Sequence, residues 1–298
     1  MAVDRETDAL TDADVLSDLI ARLGHARYSR PGVRIYAGDC LEHMRQLPDA
    51  VVDLTVTSPP YNIGKEYEDR IALDCYLDWC EQWIGEVHRI TAPTGAFWLN
   101  LGYLGVPGRA KALPLPYLLW PRIPFFIVQE IVWNYGAGVA SRRSFSPRNE
   151  KFLWCVKDPD NYTFNLDAVR DPDVKYPNQF KNGKLKVNPA GKNPTDVWQI
   201  PKVTSGMNRA SRERTPHPAQ FPTALVERIV RACSNGGDVV LDPFMGSGST
   251  AEACLRCGRA VFGFELREEY VHVAALRLNR FLREQRARLA QAALFTTA

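Results

Sequence analysis

The chain of 298 residues is 45% apolar and 24% charged, and it carries a formal net charge of +3 at pH 7. This composition is typical of a globular protein, and no window approaches the roughly 20 uncharged apolar residues that a membrane span needs. The acidic start, residues 1–20, has neither the basic flank nor the apolar core of a signal peptide. The whole sequence contains seven cysteines, an odd number, and they are expected to stay reduced in a cytoplasmic protein. Cys254 and Cys257 have no second pair at zinc spacing, so no metal site is predicted.

Strands and helices alternate along the first half of the chain. Residues 1–32 form an acidic lead followed by a helix from about residue 12. Apolar runs and period-2 patterns predict the strands that follow, and a period near 3.6 predicts the helices. A proline-broken apolar segment covers 113–126. The predicted strands are 33–39, 51–57, 95–101, 127–136 and 151–157, and the predicted helices are 40–47 and 73–90.

The regular pattern is lost over residues 158–215 and then returns. From Lys175 to Arg214 this stretch holds nine basic residues against two acidic ones. A basic, aromatic-dotted loop region is typical of a surface that meets a phosphate backbone. Strand and helix alternation before and after it predicts an α/β fold with a parallel sheet and helices on both faces. The later predicted helices are 221–234, 249–258 and one from 267 onward, and the later strands are 238–242 and 260–265.

A stiff corner follows the predicted strand 51–57. Its sequence, Thr-Ser-Pro-Pro-Tyr-Asn over 57–62, has two prolines and an aromatic residue where a simple turn would be glycine-rich. The prolines fix their own φ angles, so the Pro59 carbonyl is held rigid beside the Ser58 side chain. We therefore interpret this corner as part of a site.

A glycine-rich turn follows the predicted strand 238–242. It reads Asp-Pro-Phe-Met-Gly-Ser-Gly-Ser-Thr over 242–250 and opens a helix, whose first N–H groups are free to bind a ligand. Glu265 ends the next strand, where nucleotide-binding folds hold ribose hydroxyls. No Lys follows the glycines, so this turn is not a Walker loop.

The corner at 57–62 and the later turn at 242–250, in this order, resemble the β-class amino-methyltransferases of DNA, which use S-adenosylmethionine. The segments His-Pro-Ala-Gln-Phe-Pro at 217–222 and Asn-Pro-Thr-Asp-Val-Trp-Gln-Ile-Pro at 193–201 are also similar to that family. The resemblance covers roughly 33–280. It implies a Rossmann-like methyltransferase fold with a circularly permuted, mostly parallel seven-stranded sheet and helices on both faces.

In that family the sheet order is 3-2-1-4-5, with a reversed pair beyond. Strand one would be 238–242 and strand four would be 51–57, so the glycine turn and the corner would meet at one crevice at the carboxyl ends of the strands. The implied parts are an N-terminal lead (1–32), a catalytic half (33–157), a basic target-recognition insert (158–215) and a cofactor-binding half with a basic C-terminal helix (216–298).

The resemblance also implies a role for individual residues. Ser58 and the Pro59 carbonyl would accept the hydrogens of an exocyclic amine, and Tyr61 would stack on a base flipped out of the duplex. The predicted catalytic residues are Ser58, Pro59, Pro60 and Tyr61. The predicted S-adenosylmethionine-binding residues are Asp39, Cys40, Asn62, His217, Asp242, Pro243, Phe244, Gly246, Ser247, Gly248, Thr250 and Glu265. The predicted DNA-binding residues are Arg142, Arg143, Arg148, Lys181, Lys184, Lys186, Arg209 and Arg212.

Ser58 as the first residue of the corner favours cytosine N4 as the methylated atom, because Asp in that place is typical of adenine-N6 enzymes. The predicted function is therefore sequence-specific N4 methylation of cytosine in double-stranded DNA. Adenine-N6 methylation, methylation of RNA or of a protein amide, and a non-catalytic DNA-binding role are the alternatives. Cytosine-C5 methylation is not expected, since no Pro-Cys dipeptide occurs. A homodimer and a cognate restriction endonuclease are possible further partners.

Overall fold

A nine-stranded sheet forms the centre of the protein. The computed structural model describes residues 12–136, 140–204 and 211–296, and the strand count applies to these residues. The sheet has the order β1-β2-β13-β12-β3-β4-β8-β7-β11, with two separate hairpins, β5–β6 and β9–β10. The strands are β1 (Tyr28–Arg30), β2 (Val33–Ala37), β3 (Val52–Thr57), β4 (Thr91–Leu101), β5 (Tyr103–Val106), β6 (Ala110–Pro114), β7 (Phe126–Asn134), β8 (Asn149–Val156), β9 (Phe180–Lys181), β10 (Lys184–Leu185), β11 (Val197–Gln199), β12 (Val239–Asp242) and β13 (Ala260–Glu265).

Helices cover both faces of the sheet because successive strand residues point to opposite sides and both sets are apolar. In β4, Phe97 and Leu99 belong to the hydrophobic cluster under α1 to α4, whereas Ala96 and Trp98 belong to the cluster under α5 to α7. No helix within the described ranges is long and apolar enough to cross a membrane. The helices are α1 (Asp12–Leu23), α2 (Cys40–Met44), α3 (Leu73–Ile90), α4 (Leu115–Leu119), α5 (Thr223–Cys233), α6 (Ser249–Cys257) and α7 (Glu268–Thr296).

The predicted permuted strand order is confirmed. The late strands β12 and β13 lie between the early strands β3 and β2, and all four are parallel to one another and to β4. Beyond β4, the strand β8 is antiparallel to both of its neighbours, β4 and β7. The carboxyl ends of β2, β13, β12 and β3 therefore meet at one edge of the sheet, and this edge carries both sequence motifs.

The sheet has two strands more than the predicted seven, since one further strand lies at each edge. β1 comes from the predicted N-terminal lead and pairs antiparallel with β2, and β11 comes from the predicted insert and pairs parallel with β7. Each has only three residues, which is too short for a period-2 pattern to be seen in the sequence. Trp198 of β11 is buried and its ring stacks on Trp98, with the centroids 5.6 Å apart.

The remainder of the predicted insert, 158–215, has little regular structure within its described residues. It contains a one-turn 3₁₀ helix and the small β9–β10 hairpin, whose turn is Asn182-Gly183, both with positive φ. This Asn-Gly pair is the residue choice that a two-residue hairpin turn requires. The β5–β6 hairpin, which no sequence pattern predicted, comes directly before α4 and ends at the start of the proline-broken segment.

Candidate active site

The corner and the glycine turn are joined directly to each other at the carboxyl edge of the sheet. The strands that carry them, β3 and β12, are neighbours, and the Thr57 hydroxyl donates a hydrogen bond of 2.6 Å to Oδ1 of Asp242. The second oxygen of Asp242 accepts from the Thr250 hydroxyl at 2.6 Å, and Oδ1 also accepts from the Phe244 N–H. Asp242 therefore fastens the corner, the turn and the start of α6 into one unit.

Burial raises the pKa of the Asp242 carboxyl to about 6, although its hydrogen bonds to Thr250, Thr57 and the Phe244 N–H act in the opposite direction. At neutral pH the group is an anion with three donors around it. Such hydrogen bonds to a buried charge are stronger than those between neutral groups.

The corner presents the Ser58 hydroxyl next to the Tyr61 hydroxyl, with 2.9 Å between the two oxygens. The Tyr61 ring lies against Gly102, where an added Cβ would be only 2.7 Å from the ring. Tyr76 donates to the Pro60 carbonyl at 2.7 Å, whereas the carbonyl of the buried Pro59 accepts no hydrogen bond from the described residues. The corner thus leaves one hydroxyl and one carbonyl for a ligand.

Two further polar residues, which sequence reasoning missed, complete the surroundings of the corner. Asn100, near the end of β4, donates through Nδ2 to the Tyr61 hydroxyl and to Oε2 of Glu150, both at 2.9 Å. The Tyr61 hydroxyl in turn donates to the same Glu150 oxygen at 3.3 Å. Burial raises the pKa of the Glu150 carboxyl to about 7. We call Ser58, Tyr61, Asn100 and Glu150 the corner network.

Asn62 belongs to the loop after the corner. Its side-chain amide donates to the Ile71 carbonyl and its carbonyl accepts from the Ile71 N–H, so both polar atoms close the loop 62–71. The Glu68 carboxylate accepts from the N–H groups of Asn62, Ile63 and Lys65 inside that loop. The Asn62 side chain, which is predicted to contact the cofactor, is therefore already hydrogen-bonded within the loop 62–71.

The glycine turn wraps closely around its neighbours. Gly246 and Gly248 both have positive φ, and Gly248 stands directly before α6. A Cβ at Gly246 would be 3.0 Å from Nε2 of His217, so a larger residue there would press on the imidazole. The Gly246 N–H donates to Oε2 of Glu265 at 2.8 Å, which ties the turn to the end of β13.

His217 lies between two aromatic rings beside the turn. Its ring stacks on Tyr67 of the loop 62–71, with 6.0 Å between centroids, and meets Tyr270 of α7 edge-on at 4.4 Å. Burial lowers the pKa of His217 to about 4, so the ring is neutral at pH 7. The loop 62–71 and α7 both lie beside the glycine turn. The imidazole of His217 contacts one tyrosine of each.

Two acidic side chains stand at adjacent strand ends. Asp39 ends the β2 segment and caps α2 through Oδ1, which accepts from the Leu41 N–H at 2.7 Å. Glu265 ends β13, and its backbone carbonyl accepts from the Gly38 N–H at 3.0 Å. Cys40 beside them is buried, which raises the pKa of its thiol to about 12 and keeps it neutral.

Phe244 packs its ring against Trp83 at 5.2 Å, and Pro243 and Ser247 are buried in the turn.

Below the turn lies a buried arginine that sequence reasoning missed. Arg277 of α7 donates to Oε2 of Glu252 at 2.6 Å and to the Ser249 hydroxyl at 2.9 Å, both in α6. It also donates to the Thr223 hydroxyl at 2.7 Å and to Oε2 of Glu213 at 3.1 Å. Since Glu213 is in the predicted insert and Thr223 begins α5, this one side chain of α7 joins the insert to α5 and α6. We call these five residues the Arg277 cluster.

The predicted DNA-binding residues lie on loops and hairpins. Six of them are exposed, in the loop before β8, on or next to the β9–β10 hairpin, or near the end of the insert: Arg142, Arg143, Lys181, Lys184, Lys186 and Arg212. Arg148 is half-buried, two residues before Glu150, so the basic loop that ends at β8 leads directly into the corner network. Arg209 lies outside the described residues. Groups of acidic, His or Cys side chains that could hold a metal ion are absent from the described part of the chain.

A mostly parallel sheet with a glycine turn and a polar corner at its permuted centre defines a Rossmann-like methyltransferase. Residues 52–276 match the model of the N6/N4 methyltransferase family described as DNA methylase. The type II methyltransferase M.ScaI of Streptomyces caespitosus is 60% identical over 264 residues, which is 89% of this chain and 87% of that protein. The chain therefore belongs to this family and is a DNA methyltransferase.

Other relatives and solved structures agree with the fold. The DNA adenine methyltransferase YhdJ of Escherichia coli (strain K12) is 34% identical over 262 residues, covering 85% of each chain. The cytosine-N4-specific PvuII DNA methyltransferase shares the fold, with a TM-score of 0.68 at 21% identity over 85% of this chain and 88% of that one. A DNA modification methylase from Thermus thermophilus, complexed with S-adenosyl-L-methionine, has a TM-score of 0.58 at 27% identity over 84% of this chain and 95% of that one.

Proposed function

We propose that the protein is a β-class enzyme that transfers a methyl group from S-adenosylmethionine to N4 of a cytosine in a specific sequence of double-stranded DNA. The observation that carries this proposal is the Ser58 hydroxyl, held at the corner by Tyr61 and joined through Thr57 and Asp242 to the glycine turn. A neutral hydroxyl and the Pro59 carbonyl are suited to the two hydrogens of an amino group, which carries no charge of its own.

The residues of the corner would act by positioning and polarisation. The nitrogen of an exocyclic amine is a poor nucleophile because its lone pair is delocalised into the ring. Hydrogen bonds from the two amino hydrogens to Ser58 and to the Pro59 carbonyl draw the nitrogen toward tetrahedral geometry and aim the lone pair at the methyl group. Tyr61 would stack on the flipped base, and flipping costs a few kcal/mol.

The turn and the adjacent strand ends fit the methyl donor. Gly246 and Gly248 let the backbone of the turn pack closely on His217 and Ala274, and Glu265 at the end of β13 would accept from ribose hydroxyls, with Asp39 on the adenine side. The neutral, buried His217 would lie at the methionine end. When bound, S-adenosylmethionine supplies a methyl group on a sulfonium, a leaving group that needs no covalent enzyme intermediate.

The basic loops would hold the DNA. Arg and Lys side chains before β8 and on the β9–β10 hairpin would contact the DNA phosphates. Arg is the side chain that most often recognises the edge of guanine. We further infer a homodimer and a cognate restriction endonuclease as partners. The relatives named type II methyltransferases support the second of these.

Adenine-N6 methylation is the second candidate, and it is favoured by the similarity to YhdJ, which is named a DNA adenine methyltransferase. The amine of adenine presents the same two hydrogens to Ser58 and Pro59. The two candidates differ in the product and not in the fold or the cofactor.

The proposal is tested with duplex DNA of mixed sequence, labelled cofactor, and mass spectrometry of the digested nucleosides. We expect N4-methylcytosine from the wild type. Ser58→Ala should lower the single-turnover rate about 100-fold, as removal of one aimed hydrogen-bonding group does in other enzymes. Ser29→Ala, an exposed serine on the edge strand β1, is the matched control. N6-methyladenine as the product would select the second candidate, and equal rates for the two variants would remove Ser58 from the mechanism.

A further inference from the structure

The corner network ends in a carboxyl group that the proposed positioning of the amine does not use. Glu150 is the second residue of β8, it is remote from both sequence motifs in the chain, and its Oε2 accepts from Tyr61 and Asn100. A buried carboxyl at this place costs free energy, because its ionised form is poorly solvated. Because burial of this carboxyl is unfavourable, its hydrogen bonds to the corner indicate a role in addition to packing.

Methylation of an amine creates a proton that has to leave. When the nitrogen forms its bond to the methyl carbon, the carbon–sulfur bond breaks with its electron pair left on sulfur, and the nitrogen becomes cationic. Neutrality of the product amine requires one N–H proton to move to an acceptor. Ser58 is the corner hydroxyl that would accept a hydrogen bond from that N–H.

The hydrogen bonds of the network have a single consistent direction. Tyr61 donates to Glu150, so its hydroxyl oxygen is free to accept from Ser58, 2.9 Å away. Asn100 also donates to the Tyr61 oxygen and to Oε2 of Glu150, which holds the two groups in line. A chain of donors thus runs from Ser58 through Tyr61 to Glu150.

We infer that Glu150 receives the proton released by the methylated amine, through the hydroxyls of Ser58 and Tyr61. The amine proton moves to Oγ of Ser58, the Ser58 proton moves to the Tyr61 hydroxyl, and the Tyr61 proton moves to Oε2 of Glu150. Both hydroxyls end neutral and the carboxylate ends as a carboxylic acid. Glu150 acts through the other two side chains and is therefore a positioning residue. The inference rests on the proposed amine methylation at Ser58 but applies to either base.

The electrostatic surroundings of Glu150 suit a proton acceptor. Burial is the main cause of its raised pKa of about 7, and the Lys202 ammonium acts against it. Lys202 also lies over the ring of Tyr135, 5.3 Å from its centroid. The other titratable groups that face Glu150 are the hydroxyls of Tyr61, Tyr67 and Tyr135, all with raised pKa values and therefore neutral. A general base works best when its pKa lies near the working pH.

The test compares Glu150→Gln with Glu130→Gln in single-turnover methylation measured between about pH 5.5 and 9. Glu130 lies one strand away on β7, where its carboxylate pairs with the Lys151 ammonium at 3.0 Å and not with the corner network. For the wild type and Glu130→Gln we expect the rate to fall as the pH drops through about 7, because protonated Glu150 accepts no proton. For Glu150→Gln we expect a rate about 100-fold lower that lacks this acidic limb, with unchanged affinity for DNA and cofactor.

A second readout needs no turnover. The infrared absorption of a protonated carboxyl should appear in the wild type as the pH drops through about 7, and should be absent from Glu150→Gln. A Glu150→Gln enzyme that keeps the acidic limb, or that loses rate only through weaker binding, would overturn the inference. The pH profile is followed on whichever methylated base the wild type makes, so an N6-methyladenine product would overturn the cytosine assignment and leave the test of Glu150 intact.

Discussion

At the residue scale, a glycine in β13 allows the glycine turn to pack closely against the strand. Gly263 of β13 lies directly beneath Met245 of the turn, and an added Cβ would overlap the end of that side chain and lie 3.0 Å from its Cγ. The Met245 N–H is bonded to the Phe264 carbonyl at 2.9 Å, so the backbone of the turn is fixed against the strand. A larger residue at 263 must therefore move the Met245 side chain and press on the turn that carries it.

We predict that Gly263→Ala weakens S-adenosylmethionine binding about 10-fold, since overpacking of a tight contact costs about 1–3 kcal/mol and about 1.4 kcal/mol is one power of ten in affinity. Isothermal titration calorimetry measures the dissociation constant. Gly236→Ala is the matched control, because a Cβ at Gly236 meets nothing within 4 Å. Equal affinities for the two variants would show that the turn tolerates the displacement.

The sequence predicts the residues of the two motifs but not those that complete the corner network. Pro59, Pro60 and the glycines form local patterns whose backbone requirements can be recognised within a few positions. Asn100 and Glu150 are single polar residues in apolar strands, 50 positions apart. They meet because β4 and β8 pair antiparallel with Asn100 opposite Phe152, which makes Glu150 a diagonal neighbour on the same face. Only the strand register reveals this.

At the scale of the elements, α7 is held to α5, α6 and the predicted insert by the Arg277 cluster. Arg277 lies between Ala274 and Leu278 on the buried stripe of the helix, and its hydrogen bonds reach α6, the start of α5 and the predicted insert. A buried arginine is stable only when its donors are paired, and here they are. An arginine at a core position of a helix pattern is a sequence signal for such a cluster.

We predict that Arg277→Met lowers the free energy of unfolding by about 3 kcal/mol, because Oε2 of the buried Glu252 loses its cationic partner and only Oε1 keeps one, the Arg256 guanidinium. Urea unfolding followed by circular dichroism measures the change. Arg280→Met, three residues further along α7 at an exposed position, should change the free energy by less than about 0.5 kcal/mol. A loss of similar size in both variants would mean that the helix, and not the cluster, determines stability.

The long elements were predictable because their periods are sustained. The helix at 73–90 and the strand at 260–265 have the bounds that the sequence pattern gives. The edge strands β1 and β11 were missed because their three residues owe their conformation to backbone pairing with a neighbour, which no local pattern records. Tertiary pairing decides such short elements.

At the scale of the whole molecule, exposed basic side chains stand on the loops that we propose for DNA and also along α7. A protein that neutralises phosphates releases condensed counterions, so its affinity for DNA falls as salt increases. Each lysine that contacts a phosphate contributes about one unit to the slope of log affinity against log salt.

We predict that Lys184→Gln reduces this slope by about 0.9 for binding to nonspecific duplex DNA, because one phosphate contact is lost. Fluorescence anisotropy at several salt concentrations measures the slope. Arg30→Gln provides the control, since Arg30 is an exposed basic residue on β1 at the far edge of the sheet from β11. An unchanged slope for Lys184→Gln would place the β9–β10 hairpin away from the phosphates.

The interleaving of late and early strands has a consequence for synthesis on the ribosome. β2 and β3 are made early but never touch each other, because β13 and β12 occupy the two places between them. Until residues 239–265 have emerged, the nascent sheet has a gap in its middle and rows of unpaired backbone groups on both sides of it, which chaperones or neighbouring chains can bind. The Thr57–Asp242 bond, which spans 185 positions, closes only then. Methylation activity therefore arises only after residue 265 has been made.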